Sequence, residues 1–161
     1  MLDLPKLDRI DLRILAHLQR NGRTTNVHLA DVVGLSPSPC LLRVKRLEKT
    51  GYITGYGARV DRAKAGFPVT AFVAVRYGTS DYVGDEPRMR ELEKQPGVLE
   101  CHHVAGEDCY ILKVAAPDLE SLQGLLRDIR GPDPHARMDT RTTIVLGTVF
   151  EKPGFVPVEL D

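Results

Sequence analysis

Residues Ser36–Ile53 read SPSPCLLRVKRLEKTGYI, with two prolines one residue apart at the mouth of a run of leucines and cations. Proline lacks an N–H and breaks a helix interior, but the first-turn donors of a helix have no intrahelical partner, so proline is tolerated there. With Ser36 as N-cap and Pro37 at the first helical position, Pro39 still falls inside that permissive turn. The prolines therefore start a helix. Along it Leu41, Val44 and Leu47 recur every three residues with Cys40 beside them, which predicts a buried stripe. Ser38, Leu42, Arg43 and Arg46, flanked by Lys45 and Lys49, are left to face outward.

Two helices precede it. In LDRIDLRILAHLQRNGR, Ile10, Ile14, Leu15 and Leu18 form one stripe at helical spacing, with Asp8 placed to cap, Asp11 in the first turn and Gly22 as the stop. Asn26 or Thr25 can cap a shorter second helix whose Leu29, Ala30 and Val33 face inward and which Gly34 ends. Two helices, a short glycine-containing turn and a third helix exposing cations make a helix-turn-helix, and such a third helix fits the major groove of double-stranded DNA. The competing reading is a small helical bundle whose cations only solvate its surface.

The bulk composition allows either. The chain has 161 residues, 42% hydrophobic and 27% charged, enough for one ordinary domain or two small ones. Net charge is zero, yet residues 1–66 hold 12 Lys+Arg against 6 Asp+Glu while the rest holds 10 against 16, so a basic half precedes an acidic one. That asymmetry points to two domains with different partners, the basic one suited to phosphate. No apolar run is long enough to span a membrane, and acidic residues stand near the start where a secretory signal is basic and then apolar, so a cytoplasmic location is expected. Three cysteines far apart form neither a disulfide framework nor a paired zinc motif.

The second half reads as strand (VTAFVAVRYG), helix end (MRELEKQPG), strand (VLECHHV), strand (CYILKVAA), helix (LESLQGLLRDI) and strand (TRTTIVLGTVF). This β-α-β-β-α-β order predicts a ferredoxin-like α+β domain with both helices on one face of an antiparallel sheet. The strands are apolar on both sides, Val73 and Val75 against Phe72 and Ala74, Ile144 and Leu146 against Val145 and Val149, so the uncovered face is expected to pack on a second copy of the chain. No nucleophile elbow, phosphate loop or HExxH spacing appears, so no enzyme and no cofactor is expected. Cys101, His103 and Cys109 lie on adjacent strands and would suit a metal-responsive repressor, but alternation puts only Cys101 and His103 on one face.

LDRIDLRIL, LSPSPCLLRVKRLE and GYITGY, taken together and in this order, closely resemble the DNA-binding half of the Lrp/AsnC (feast/famine) transcriptional regulators, and the likeness runs on to Phe150. The resemblance implies a helix-turn-helix domain over 1–52, a linker strand over 53–67, a ferredoxin-like effector-binding and oligomerisation domain over 68–150 and a tail over 151–161. From the outward face of the third helix, Arg43 and Arg46 are expected at base edges or phosphates, Lys45 and Lys49 on the backbone and Leu42 at a thymine methyl, with Ser36, Ser38 and Pro39 completing the DNA-binding set; the resemblance implies assembly as dimers, tetramers or octamers. A nucleoid-type architectural DNA-binding protein is the alternative within DNA binders. The effector it implies is an amino acid or related metabolite, held between dimers near the hairpin of the second and third strands. His103, Val104, Gly106, Glu107, Asp108, Cys109 and Tyr110 are the residues there, with Thr140, Thr142 and Thr143 from the last strand. The family pattern in that hairpin is a glycine, two variable residues, then Asp-Tyr. Here Gly106-Glu107-Asp108-Cys109-Tyr110 puts a cysteine in the aspartate's place, and the one-residue shift to Asp108 turns a strand side chain to the opposite face.

Overall fold

The N-terminal helix α1 (Arg9–Arg20) starts where its chemistry says it should. The Asp8 side chain accepts from the Asp11 N–H and the Asp11 side chain accepts from the Asp8 N–H, a reciprocal capping box that satisfies two first-turn donors. It ends at Asn21, one residue before the expected Gly22. Helix α2 (Asn26–Val33) is capped by Thr25, whose hydroxyl accepts from the His28 N–H, and stopped by Gly34 in the left-handed region at φ 76°. Helix α3 (Pro37–Lys49) follows at once. Ile14, Leu15, Leu29, Ala30, Val33, Cys40 and Leu47 form the core of this unit.

The computed structural model describes residues 6–77, 86–131, 138–152 and 154; most of the expected tail, 153 and 155–161, lies outside them. Two compact units result, Met1–Arg59 with Phe150–Asp161, and Val60–Val149. The strand expected within 53–67 does not form: a strand needs a ladder partner, and none of these residues joins the sheet. Residues 61–67 turn instead, with the Phe67 N–H donating to the Arg62 carbonyl at 2.8 Å and Asp61 accepting from the Lys64 N–H.

The second unit has the expected alternation of β1 (Val69–Tyr77), α4 (Glu86–Glu91, continued by a 3₁₀ turn over Leu92–Lys94), β2 (Val98–His103), β3 (Tyr110–Ala116), α5 (Leu119–Arg130) and β4 (Met138–Ile144). The four strands are antiparallel in the order β2-β3-β1-β4. Met89, Leu92, Leu122 and Ile129 from the helices join Ala71, Val73, Val75, Leu112 and Val114 in one core, so the helices share a face of the sheet. The final strand is shorter than its apolar run suggests. It stops at Ile144, and Leu146 and Val149 beyond it are almost wholly exposed.

Register sorts the other side chains. Directly opposed residues share a face, so His103, Tyr110, Val75 and Thr140 form one row on the helix-covered side, and His102, Ile111, Ala74 and Arg141 form the next row on the open side. On the open side Phe72 is 43% exposed, while Glu100 and Lys113 pair at 3.4 Å.

Gly97 sits where α5 meets the sheet edge. A Cβ there would stand 2.7 Å from the Ala115 carbonyl oxygen and 2.9 Å from Leu125 Cδ2. Gly97→Ala is therefore expected to cost about 1–3 kcal/mol by overpacking, read as a drop in the denaturant midpoint of the second unit.

Candidate nucleic-acid interface and effector hairpin

Helix α3 presents a different outward face from the one its sequence suggests. Steps of about 100° per residue leave a three-residue repeat about 60° short of a full turn, so a Leu41–Val44–Leu47 stripe drifts around the helix. The core takes Cys40 and Leu47, seven residues apart, with Val44 half-buried, and Leu41 is turned out at 42% exposure. Opposite that core, Ser38, Leu42, Lys45 and Lys49 run along the helix at spacings of four, three and four, all exposed, Leu42 at 69%. Ser36 holds the N-cap position without a side-chain cap bond. The reason is local: its usual targets are the second and third helical N–H groups, and the third residue is Pro39, which has none.

Arg43 and Arg46 are engaged from behind. Asp11, fully buried at 0% exposure, accepts from Arg43 Nη1 at 2.9 Å through Oδ1 and from Arg46 Nη2 through Oδ2. The same Arg43 Nη1 donates to Asp8 Oδ2 at 2.6 Å. Both acids thus cap α1 and hold α3 at once, and the two carboxylates keep Arg43 above the ordinary arginine range, Asp8 first. The outward direction expected for Arg43 is corrected accordingly, since its side chain is only 29% exposed. Two further bonds fix the α2–α3 turn region, Asn26 Nδ2 donating to the Pro37 carbonyl at 2.8 Å and Arg13 Nη2 to the Val32 carbonyl at 2.6 Å. Downstream, Tyr56 donates to Glu48 on α3 at 2.9 Å, and burial together with that carboxylate pushes its phenol up to about 12.

In the second unit the β2–β3 hairpin closes with the Val104 N–H donating to the Cys109 carbonyl at 3.0 Å, and the Cys109 N–H donates to the Val75 carbonyl. Gly106 has φ 152°, a conformation that disfavours a side chain. His103, Val104, Ala105, Gly106, Asp108 and Cys109 line a shallow depression of about 540 Å³. His103 stacks on the buried Tyr110 with centroids 5.0 Å apart, and Tyr77 meets Tyr110 edge-on. Asp108 pairs with Arg141 at 2.9 Å across to β4, a contact the sequence pattern did not suggest.

The expected effector residues do not all converge. Thr140 accepts from Arg130 Nε at 2.8 Å and lies at the far end of the row that begins with His103, three strand spacings or roughly 14 Å away. Thr142 shares its face, whereas Thr143 is on the open side. A second concavity, about 440 Å³, opens between β2 and α4 and brings in Met89, Arg90 and Glu93, which sequence reading passed over. The i, i+4 spacing of Met89 and Glu93 was the available signal. Cys101 and His103 share a face of β2 as expected, but among the described residues no three or more His, Cys, Asp or Glu side chains come together to hold a metal.

A family model described as winged helix-turn-helix DNA-binding matches residues 7–54, and one described as the Lrp/AsnC ligand binding domain matches residues 70–155. The leucine-responsive regulatory proteins of Escherichia coli and Salmonella typhimurium are each 39% identical over 152 residues, 93% of this chain and 91% of theirs. A transcriptional regulator of Neisseria meningitidis, solved in complex with L-methionine, superposes with a TM-score of 0.82 at 33% identity, over 91% of this chain and 94% of that one. A feast or famine regulatory protein of M. tuberculosis, also complexed with L-methionine, gives 0.83 at 36% identity, over 94% and 100%. A helix-turn-helix with a lysine-bearing outward stripe, followed by a βαββαβ ligand domain, defines a DNA-binding transcriptional regulator. The chain belongs to the Lrp/AsnC family of such regulators. No described helix is long and apolar enough to cross a membrane.

Asp8 links cap and clamp, and its carboxyl is held below the usual aspartate range, first by the Asp11 N–H and then, against some opposing desolvation, by Arg43. A group depressed in the folded state lends stability that is present above its unfolded value, about 3.9, and is lost as pH falls through the folded one. The helical unit should therefore lose melting temperature on acidification below about pH 4, and Asp8→Ala should flatten that dependence. The same variant should cost about 1 kcal/mol at neutral pH through the lost cap.

Proposed function

We propose that the chain regulates transcription by laying α3 in the major groove, with Ser38, Leu42, Lys45 and Lys49 toward the DNA and Ser36 and Pro39 near the backbone. The observation that carries this is the four-residue stripe opposite the helix core. The lysines supply phosphate contacts and Leu42 meets base edges by apolar contact. The protein acts by binding rather than catalysis, in the cytoplasm. Its sheet domain pairs two copies through the open face, where Phe72, Ala74 and Ile111 lie between polar flanks. That pairing presents two α3 helices with twofold symmetry to half-sites about one helical turn apart. Each phosphate contact steepens the fall of log affinity with log salt by about 0.9. Lys45→Ala combined with Lys49→Ala should therefore flatten that slope by about 1.8 per α3, measured by fluorescence anisotropy on a duplex; an unaltered slope counts against this docking.

The effector we infer is an amino acid with an apolar side chain, bound at the depression around residues 103–109. Two structural relatives were solved with L-methionine, and the hairpin offers the groups a zwitterion needs. Backbone N–H groups around Gly106 suit the carboxylate, and Glu107 or Asp108 suits the ammonium in the absence of the usual aspartate. Asp108 already holds Arg141, so Glu107 is the more available acceptor. Thr140 and Thr142 lie away from His103 along the sheet, and a second copy that brought its last strand to this hairpin would tie occupancy to assembly. Calorimetric titration of amino acids into wild type, Glu107→Gln and Cys109→Asp, with oligomer size followed in parallel, tests the site. Glu107→Gln should weaken the wild-type ligand by roughly tenfold or more, and Cys109→Asp should change which amino acid binds best. Indifference of the wild-type ligand to both substitutions would refute it.

A further inference from the structure

We propose that Asp11 is a positioning residue for DNA binding, an internal counter-ion that withholds Arg43 and Arg46 from the phosphate backbone and leaves the electrostatic grip to Lys45 and Lys49. The inference rests on α3 being the DNA-facing helix, as proposed above. Three observations on the structure lead to it. Asp11 is fully buried, so its charge requires partners inside the protein. Its two oxygens each receive a guanidinium from α3, and the Asp8 N–H donates to Oδ2 as well. Arg43 is further held by Asp8, so two cations of the basic half are neutralised against two acids of α1.

A guanidinium moving to a DNA phosphate would leave a buried carboxylate short of a partner, and removing one member of a buried pair is strongly unfavourable. Lys45 and Lys49 carry no such cost, since both are exposed and have no ion-pair partner among the described residues. The consequence is functional as well as structural. Phosphate contacts supply nearly all sequence-independent affinity, and arginine's fork matches phosphate geometry well. A guanidinium released on each subunit would therefore strengthen binding to any DNA and erode the margin between specific and non-specific sites. Asp11 restrains that affinity while keeping α3 docked on α1.

The test is the salt dependence of binding to a duplex of mixed sequence, measured by anisotropy for the full chain, with folding checked by circular dichroism. Asp11→Asn keeps the side-chain shape and one carbonyl acceptor while removing the charge. Arg43 keeps Asp8 in this variant while Arg46 loses its carboxylate partner, so the log-affinity against log-salt slope should steepen by about 0.9 per α3, equivalent to about 3.5-fold over a fourfold change in salt. Asp11→Asn/Arg43→Gln/Arg46→Gln, which removes clamp and cations together and leaves no buried charge, should return the slope to the wild-type value. Asp31→Asn deletes an exposed acid of α2 without touching the clamp and should not steepen it. The proposal is overturned if a folded Asp11→Asn keeps the wild-type slope, or if Asp31→Asn matches it. It is equally overturned if the triple variant is shallower than wild type, which would mean the arginines already touch phosphate; that comparison decides even where Asp11→Asn alone fails to fold. Should the Lys45/Lys49 double variant leave the slope unaltered, the reading of α3 fails instead.

Discussion

The buried carboxylate of Asp11 is the constraint on which the N-terminal unit is built. A charge removed from water is unfavourable by several kcal/mol, and here it is compensated by donors from two directions, the Asp8 N–H at the start of α1 and the guanidiniums of Arg43 and Arg46 on α3. Those bonds set the rotation of α3 about its own axis. With Arg43 and Arg46 drawn toward α1 and Cys40 and Leu47 in the core, Ser38, Leu42, Lys45 and Lys49 are left on the outer side. An acid on the first helix thus decides which cations of the third one meet the solvent.

In the second unit the controlling constraint is sheet register. A side-chain period of two means that each row across β2-β3-β1-β4 belongs wholly to one face. His103 and Tyr110 stack because they oppose each other at the β2–β3 edge, and Thr140 lies at the other end of the same row because β1 intervenes. The hairpin turn nevertheless reaches the last strand through the Asp108–Arg141 pair, while His103 and Thr140 stay apart.

Features governed by neighbouring residues were legible in the sequence. Asp8, Thr25, Pro37 and Gly34 mark helix ends through bonds that span a few residues, and the βαββαβ order follows from alternation and turn chemistry. Features governed by distant partners were not. Arg43 reads as an exposed cation until Asp8 and Asp11, more than thirty residues earlier, are placed beside it. Leu41 reads as core because three-residue spacing imitates helical periodicity over a short run. Val145–Val149 reads as strand because it is largely apolar, but after the Val145 N–H donates to the Thr70 carbonyl the chain leaves the sheet, and Leu146 and Val149 are exposed. Asp108 reads as a solvated turn acid, and only the fold brings Arg141 to it.

The crystal structure of the full chain on duplex DNA is the most direct measurement. The account predicts α3 in the major groove, Lys45 and Lys49 at phosphates, Leu42 against base edges, and Arg43 and Arg46 still bonded to Asp11. A complex in which another surface meets the groove, or in which both arginines have left Asp11 for phosphates, would contradict it.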